Sequence, residues 1–427
     1  MAPNSVLANR DFRLLFVGRC VSLLGDGAFL VAMAWEAYTL SNAPTALSLL
    51  GIAMTVPLIS LLLFGGVVSD RHGRRKVMLS ADLVRAGLLA LLAALAASGT
   101  LRLWQMMVIV AVYGGAQAFF DPASDAILPE LVPDAQLAEA NALEQVVRPL
   151  ALRLAGPAIG GVLVGVLGLG AAFMADAATF LVSAATLWAM SARASSSPFL
   201  AGAQLERATV QAREGWTYVR EHVWLWGTFA SAGIAYLLFM GPAEVLLPFM
   251  VKHVLRGSGV QLGLVLGAGG LGSVAAGLVM MRSGLPGRSM TFIYVVWTLG
   301  TLAIAGYGIA NAMWELMLAS VAFNVLETAG TIVWATMKQR HVPGRMLGRV
   351  SSLDWLISIG LLPISFALTV PLSATFGVRA TLIGAGLAGA AATLGGLMLP
   401  GMRDVDRQLA PAGRAAIQPP ASAAQAS

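Results

Sequence analysis

The chain has 427 residues, 58% of them hydrophobic and 11% charged, with a formal net charge of +6 and a mean hydropathy of +0.78. Soluble domains run about 25% charged, which excludes an ordinary water-soluble enzyme. In so apolar a chain, the positive balance reads as loops flanking membrane spans and not as a nucleic-acid surface.

A membrane span needs about 20 apolar residues. Twelve such blocks follow one another: 14–40, 45–69, 77–98, 103–122, 141–168, 170–190, 224–250, 260–281, 289–309, 312–336, 347–372 and 375–399. The expected fold class is an all-α membrane protein. No short apolar segment with a small-residue cleavage site precedes the first block, so no removable signal peptide is expected. One long polar stretch, 191–223, divides the chain; it reads as a linker with an amphipathic helix from Leu205 to Glu221. Residues 1–190 form a first six-helix half and 224–400 a second. The Ala-, Pro- and Gln-rich end, 401–427, reads as a disordered tail.

Basic residues gather in alternate loops. Arg10 and Arg13 precede the first span, Arg71, Arg74, Arg75 and Lys76 follow the second, and Lys338, Arg340, Arg345 and Arg349 follow the tenth. The other set of loops carries only Arg102, Lys252, Arg256 and Arg379. That bias places both termini in the cytoplasm.

The two halves repeat at a shift of about 210. Leu131-Val132-Pro133, with Leu143-Glu144 behind it, aligns with His341-Val342-Pro343 and Leu353-Asp354. Gly66 to Gly73 aligns with Gly277 to Gly284. A duplicated unit of six spans crosses the membrane twice in the same sense, so the halves are related by an axis along the membrane normal.

Catalytic and metal chemistry finds little support. Cys20 stands alone, the four histidines are scattered without a His-x-x-x-His pair, and Lys76, Lys252 and Lys338 sit in no phosphate-binding loop. A membrane enzyme would need a His–carboxylate set or a metal site at one interface, and no span carries one. No cofactor, no metal and no nucleic-acid partner is expected.

Between the second and third spans stands Gly66-Val-Val-Ser-Asp70-Arg71-His-Gly73-Arg74-Arg75-Lys76. Gly66 permits close helix approach and Gly73 a tight turn. Asp70 can serve a helix start or pair with a base, and the arginines can face water and anionic headgroups. Set among twelve spans with a central link, this G-x-x-x-D-R-x-G-R-R pattern resembles the cytoplasmic signature loop of the major facilitator superfamily. The likeness covers Arg10 to Pro400. It implies that fold, and it implies that Asp70 and Arg74 join a carboxylate at the cytoplasmic end of span four, mapped onto Asp121, to hold the inside shut in the outward-facing state. In the second copy Met281 stands where the first has Asp70.

Other stretches narrow the resemblance. Asn9-Arg10-Asp11-Phe12, Ser22-Leu-Leu-Gly25-Asp26-Gly27, Phe120-Asp121-Pro122-Ala123 and Glu139-Ala140-Asn141 look like the bacterial exporters of macrolides, other drugs and siderophores. Gly156-Pro157-Ala-Ile-Gly160-Gly161 in span five resembles the core of their antiporter motif. Leu143 and Leu152 replace its upstream glycines, and no arginine lies between Leu103 and Phe119, where many proton antiporters carry one. The resemblance implies a monomeric exporter in a bacterial inner membrane that takes small amphipathic molecules and uses protons as the coupling ion. An importer or uniporter, and a siderophore exporter, stay open.

Ionisable groups inside spans are costly and are therefore candidate functional residues. Asp26 reads as the coupling carboxylate, or else as a structural acid paired with Arg19 or backbone. Glu36, ten residues on and about 15 Å higher, reads as a rim or substrate contact. Glu144 and Arg148 have the i,i+4 spacing of a local ion pair, with a structural, gating or substrate role. Asp82 and Arg85 read as a cytoplasmic-end network, and Asp176 as a lone acid. Glu244 follows Gly241-Pro242, read as a helix break near a binding site or as an acid at an outer rim. Glu327 is a lone acid in span ten. Trp35, Tyr38, Tyr236, Phe239, Trp297, Phe323 and Trp334 can line a cavity for amphipathic cations or form an interfacial belt.

Overall fold

Backbone groups in lipid must satisfy one another, so each apolar block coils into a helix. The computed structural model describes residues 6–41, 43–133, 147–191, 213–283 and 286–409, with Gln136, Ala140, Leu143 and Glu144 between them. The first half contains α1 (Arg10–Leu40), α2 (Pro44–His72), α3 (Arg74–Ala97), α4 (Leu103–Leu131), α5 (Val147–Leu167) and α6 (Leu169–Ala189). The second contains α7 (Val223–Phe249), α8 (Gly259–Ser283), α9 (Ser289–Ile309), α10 (Met313–His341), α11 (Gly344–Gly360 continued by Leu362–Phe376) and α12 (Val378–Leu397). All twelve are long and apolar enough to cross a membrane. Residues 213–221 form a helix ahead of α7; the expected start of that helix at Leu205 lies outside the described residues.

Local sequence sets the boundaries. The Asn9 side chain accepts from the N–H groups of Asp11 and Phe12 at 3.0 and 3.1 Å and so caps α1. Pro44 opens α2. Gly168 and Gly377, at φ 85° and 82°, make the corners between α5 and α6 and between α11 and α12. They are one repeat apart, and both hold a backbone conformation that costs other residues about 1 kcal/mol or more.

The packing repeats as the sequence does. α2 lies on α4 as α8 lies on α10, and α1 and α3 lie on α6 as α7 and α9 lie on α12. The halves meet through α5 against α8 and α2 against α11, which are each other's counterparts. One buried apolar core runs through both halves and includes Tyr38, Leu50, Leu246 and Leu262.

Two expectations are corrected here. The helix does not break at Pro242: α7 runs through Pro242 and Pro248. Its Gly241 N–H is met by Ser365 Oγ of α11 at 2.8 Å, so the backbone disturbance next to Pro242 is absorbed without a gap. The tail is ordered at its start. A short helix, α13 (Asp404–Leu409), places Asp406 against the first turn of α9, where it accepts from Met290 N at 2.8 Å, Thr291 N at 3.1 Å and Thr291 Oγ1 at 3.0 Å. A carboxylate there satisfies orphan N–H groups and the positive helix end. Asp406→Ala should lower stability by about 1 kcal/mol, read as a lower midpoint of thermal unfolding in detergent. The rest of the tail, 410–427, lies outside the described residues.

Candidate functional site

The interior of the first half holds a polar cluster. Asp26 of α1 is half-buried and accepts a short hydrogen bond from Tyr113 Oη of α4. Behind it, Arg85 of α3 donates to Asp82 Oδ1 at 2.5 Å, with side chains 4% and 0% exposed. Ser183 Oγ of α6 donates to the other Asp82 oxygen at 2.6 Å. The Arg85 guanidinium lies 4.4 Å from the Phe120 ring centre and 4.3 Å from that of Phe180, a cage suited to a desolvated cation. Asp176 of α6 is fully buried, with Thr179 Oγ1 donating to one oxygen at 3.0 Å.

This geometry corrects three readings. Asp82 and Arg85, expected as a cytoplasmic-end network, are buried against groups of α4 and α6. Asp26 is met by Tyr113, not Arg19. Arg19 instead donates to Ser124 and lies 3.7 Å from Glu144. Arg148 is exposed, so the local Glu144–Arg148 pair gives way to one that ties α1 to the segment before α5. The place of Arg85 at the centre of this cluster was not legible in the sequence. Its sequence signal is the Asp-x-x-Arg spacing eight to eleven residues inside an apolar helix.

On the second half, Tyr236 and Phe239 of α7, Trp297 of α9, and Phe323 and Glu327 of α10 line one cleft. Its free volume is about 30 Å³, room for a water or so. Glu327 accepts from Thr331 at 3.0 Å and pairs across the halves with Arg153 of α5 at 3.5 Å. The Arg153 side chain is 51% exposed, and such a pair is worth at most about 1 kcal/mol. Glu244 is exposed, and Arg153 is the cation that acts on it. Trp334 is buried in a different cluster, where its Nε1 donates to Asp354 at 3.0 Å and Lys338 pairs with the same oxygen.

The halves close on each other at the end away from the basic loops. Tyr38 Oη donates to Val245 O at 2.5 Å, and Lys252 donates to Trp35 O at 3.1 Å and Thr39 Oγ1 at 2.7 Å. Glu36 is 5% exposed here, near Lys252, and so does not stand on a rim in this arrangement. The Gly156-Pro157-x-x-Gly160-Gly161 stretch has two faces. Gly156 and Gly160 seat α5 on Gly27 and Ala28 of α1, whereas Gly161 meets Gly259 and Gly263 of α8 across the halves. α2 meets α11 along its outer segment Leu362–Phe376, with Gly51 against Phe366. These contacts join the halves at the end away from the basic loops.

The basic loop is a clamp. Gly73, at φ 87°, ends α2 and begins α3. Arg74 donates to Ala126 O and pairs with Glu130, both at 2.5 Å. Arg75 donates to Leu187 O at 2.6 Å and Trp188 O at 2.5 Å, closing the end of α6. Arg71 is exposed. In this arrangement the carboxylate on α4 that meets Arg74 is Glu130; the expected contact with Asp121 belongs to the outward-facing state. Nine residues place Glu130 about 13.5 Å nearer the loop. Asp121 instead contributes to the field around Asp26 and Arg85. The surroundings of Gly66 and Asp70 lie outside the described residues.

Comparison with known proteins gives the following. The profile of the family described as "Transmembrane secretion effector" matches residues 1–422. The "Multidrug efflux pump Tap" of Mycobacterium tuberculosis is 26% identical over 439 aligned positions, covering 96% of this chain and 98% of its own. "Macrolide efflux protein A" of Streptococcus pyogenes is 22% identical over 377 positions, covering 86% and 90%. A solved structure of a bacterial homologue of the iron transporter ferroportin, in an inward-facing state, superposes with a TM-score of 0.68 at 16% identity over 91% of this chain and 99% of that one. The last likeness speaks to the fold alone.

Proposed function

Because the chain belongs to the transmembrane secretion effectors of the major facilitator superfamily, multi-pass proteins of the bacterial inner membrane, we propose that it exports small amphipathic organic molecules by alternating access, driven by proton entry. The observation that carries the reading is an acid set among aromatic rings in each half. Asp26 accepts from Tyr113 in the first half, and Glu327 shares a cleft with Tyr236, Phe239 and Phe323 in the second. Acids among aromatic faces suit amphipathic cations. The efflux activities in the names of two relatives support the direction and the substrate class.

The basic loops and both termini lie on the cytoplasmic side by the positive-inside rule. The arrangement described is then inward-open, with the outer end held shut by Tyr38, Lys252 and the α5–α8 glycines. A substrate enters from the cytoplasm and its cationic group takes Glu327 from Arg153. That exchange loosens a weak link between the halves and favours their rocking. The ionised Asp26 accepts from Tyr113 and draws the substrate's positive end or donor group. A proton arriving at Asp26 from outside removes that attraction and releases the substrate, so proton and substrate compete for one carboxylate. Both acids lie within one chain, so a monomer is a complete unit.

Intact bacteria expressing the chain should hold less ethidium or radiolabelled macrolide than cells with an empty vector, and a protonophore should erase the difference. Higher accumulation in the expressing cells would reverse the direction and make it an importer. Glu327→Gln should reduce export of a cationic dye about tenfold, the equivalent of one lost charge contact near 1.4 kcal/mol, and leave export of a neutral amphipathic dye within about twofold. Equal losses for both dyes would remove Glu327 from cation recognition.

A further inference from the structure

We propose that Asp176 is a second proton-carrying acid, which shares one proton with Asp26 inside the first half. The inference rests on the proton-coupled reading above and adds a residue that reading does not use. Asp176 has 0% exposure, and its Oδ2 has no hydrogen-bond partner among the described residues while Oδ1 accepts from Thr179. It packs against Gly25, the residue next to Asp26; a Cβ at Gly25 would fall on Asp176 Oδ1 and Thr179 Oγ1. Asp176 lies in the field of Asp26.

The charge count gives the arrangement its meaning. Asp26 on α1, Asp82 and Arg85 on α3, Tyr113 and Asp121 on α4, Arg148 on α5 and Asp176 on α6 are the described ionisable groups that act here. Asp82 takes the Arg85 guanidinium directly, and Arg148 is exposed. Asp26, Asp121 and Asp176 remain against that one outlying cation, with a phenol and a threonine hydroxyl donating to Asp26 and Asp176. Adjacent carboxylates in a low-dielectric interior hold a proton between them rather than two negative charges. An unpartnered buried carboxyl oxygen is a natural seat for that proton.

The two acids differ in access. Asp26 is half-buried; Asp176 is sealed. When Asp26 gives its proton to water on the cytoplasmic side, the O–H proton of Asp176 crosses to Asp26 and leaves Asp176 as a carboxylate near Arg85. When Asp26 later takes a proton from the outside, it can return one to Asp176. The pair then gains or loses protons through Asp26 alone.

The test needs no substrate. The full chain is reconstituted in liposomes, and its protonated carboxyl bands are followed by infrared difference spectroscopy against pH. Asp176→Asn keeps the side-chain shape, so size-exclusion elution should be unchanged. It should remove one carboxyl band and shift the Asp26 titration midpoint by about one pH unit, and Asp26→Asn should shift the Asp176 band in turn. An unmoved Asp26 titration in Asp176→Asn, or no band assignable to Asp176, would overturn the sharing. If Asp176→Asn does not fold, Thr179→Val removes the donor to Oδ1 and should move the same midpoint; no movement would equally count against the proposal. Gradient-insensitive export by the wild type would end the coupled reading and leave this titration standing, so the two failures are distinguishable.

Discussion

Arg85→Met is expected to lower the stability of the protein by about 3–5 kcal/mol, the penalty for leaving one member of a buried ion pair alone. Asp82 would lose its cation in a place with no solvent, since its side chain is 0% exposed and only Ser183 would still donate to it. The rings of Phe120 and Phe180 would keep a side chain of similar length but lose the cation they face. The double variant Asp82→Asn/Arg85→Met should recover much of the loss, because no unpaired charge remains. Fluorescence-detected thermal unfolding in detergent reads both. If the double variant is as unstable as the sum of the single ones, the pair is not the energetic unit described.

Gly161→Leu is expected to hold the outer end open. A Cβ at Gly161 would lie 2.8 Å from both Gly259 O and Gly263 Cα, and these are backbone atoms that cannot swing aside. The halves must then part at their outer contact, where the hydrogen bonds of Tyr38 and Lys252 stretch with them. In a Cys20→Ser background, a Glu36→Cys probe should react with an impermeant maleimide about tenfold faster when Gly161→Leu is present, the effect of a shift near 1.4 kcal/mol in the opening equilibrium. Export should fall by a similar factor or more. Gly160→Leu acts within the first half, against Ala28, and should damage folding before it changes labelling. Unchanged labelling in Gly161→Leu would mean that α5 and α8 do not form the outer closure.

The spans, the repeat and the basic loop were legible because each is written in local pattern: a run of apolar residues, a turn glycine, a block of arginines. Partners across the bundle were not. The resemblance pairs Arg74 with Asp121 in the outward-facing state; in the present arrangement the length of α4 carries another carboxylate, Glu130, to the loop. Asp26 and Tyr113 stand 87 residues apart, and no periodicity links them. Arg85 was visible as a charge in an apolar helix, yet its role depends on α4 and α6 wrapping it. Glu36 was placed at an outer rim by depth alone, and the closure of the halves buries it. Asp406 was lost in a low-complexity tail because its partners, the first N–H groups of α9, are a tertiary matter.

The most direct test of the account imposes a proton gradient on everted membrane vesicles and follows ethidium uptake by wild type beside Asp26→Asn. Proton-coupled export through Asp26 requires uphill uptake in the wild type that collapses with a protonophore, and an Asp26→Asn protein that allows downhill exchange but no accumulation. Full uphill uptake in Asp26→Asn, or wild-type uptake indifferent to the gradient, would contradict it.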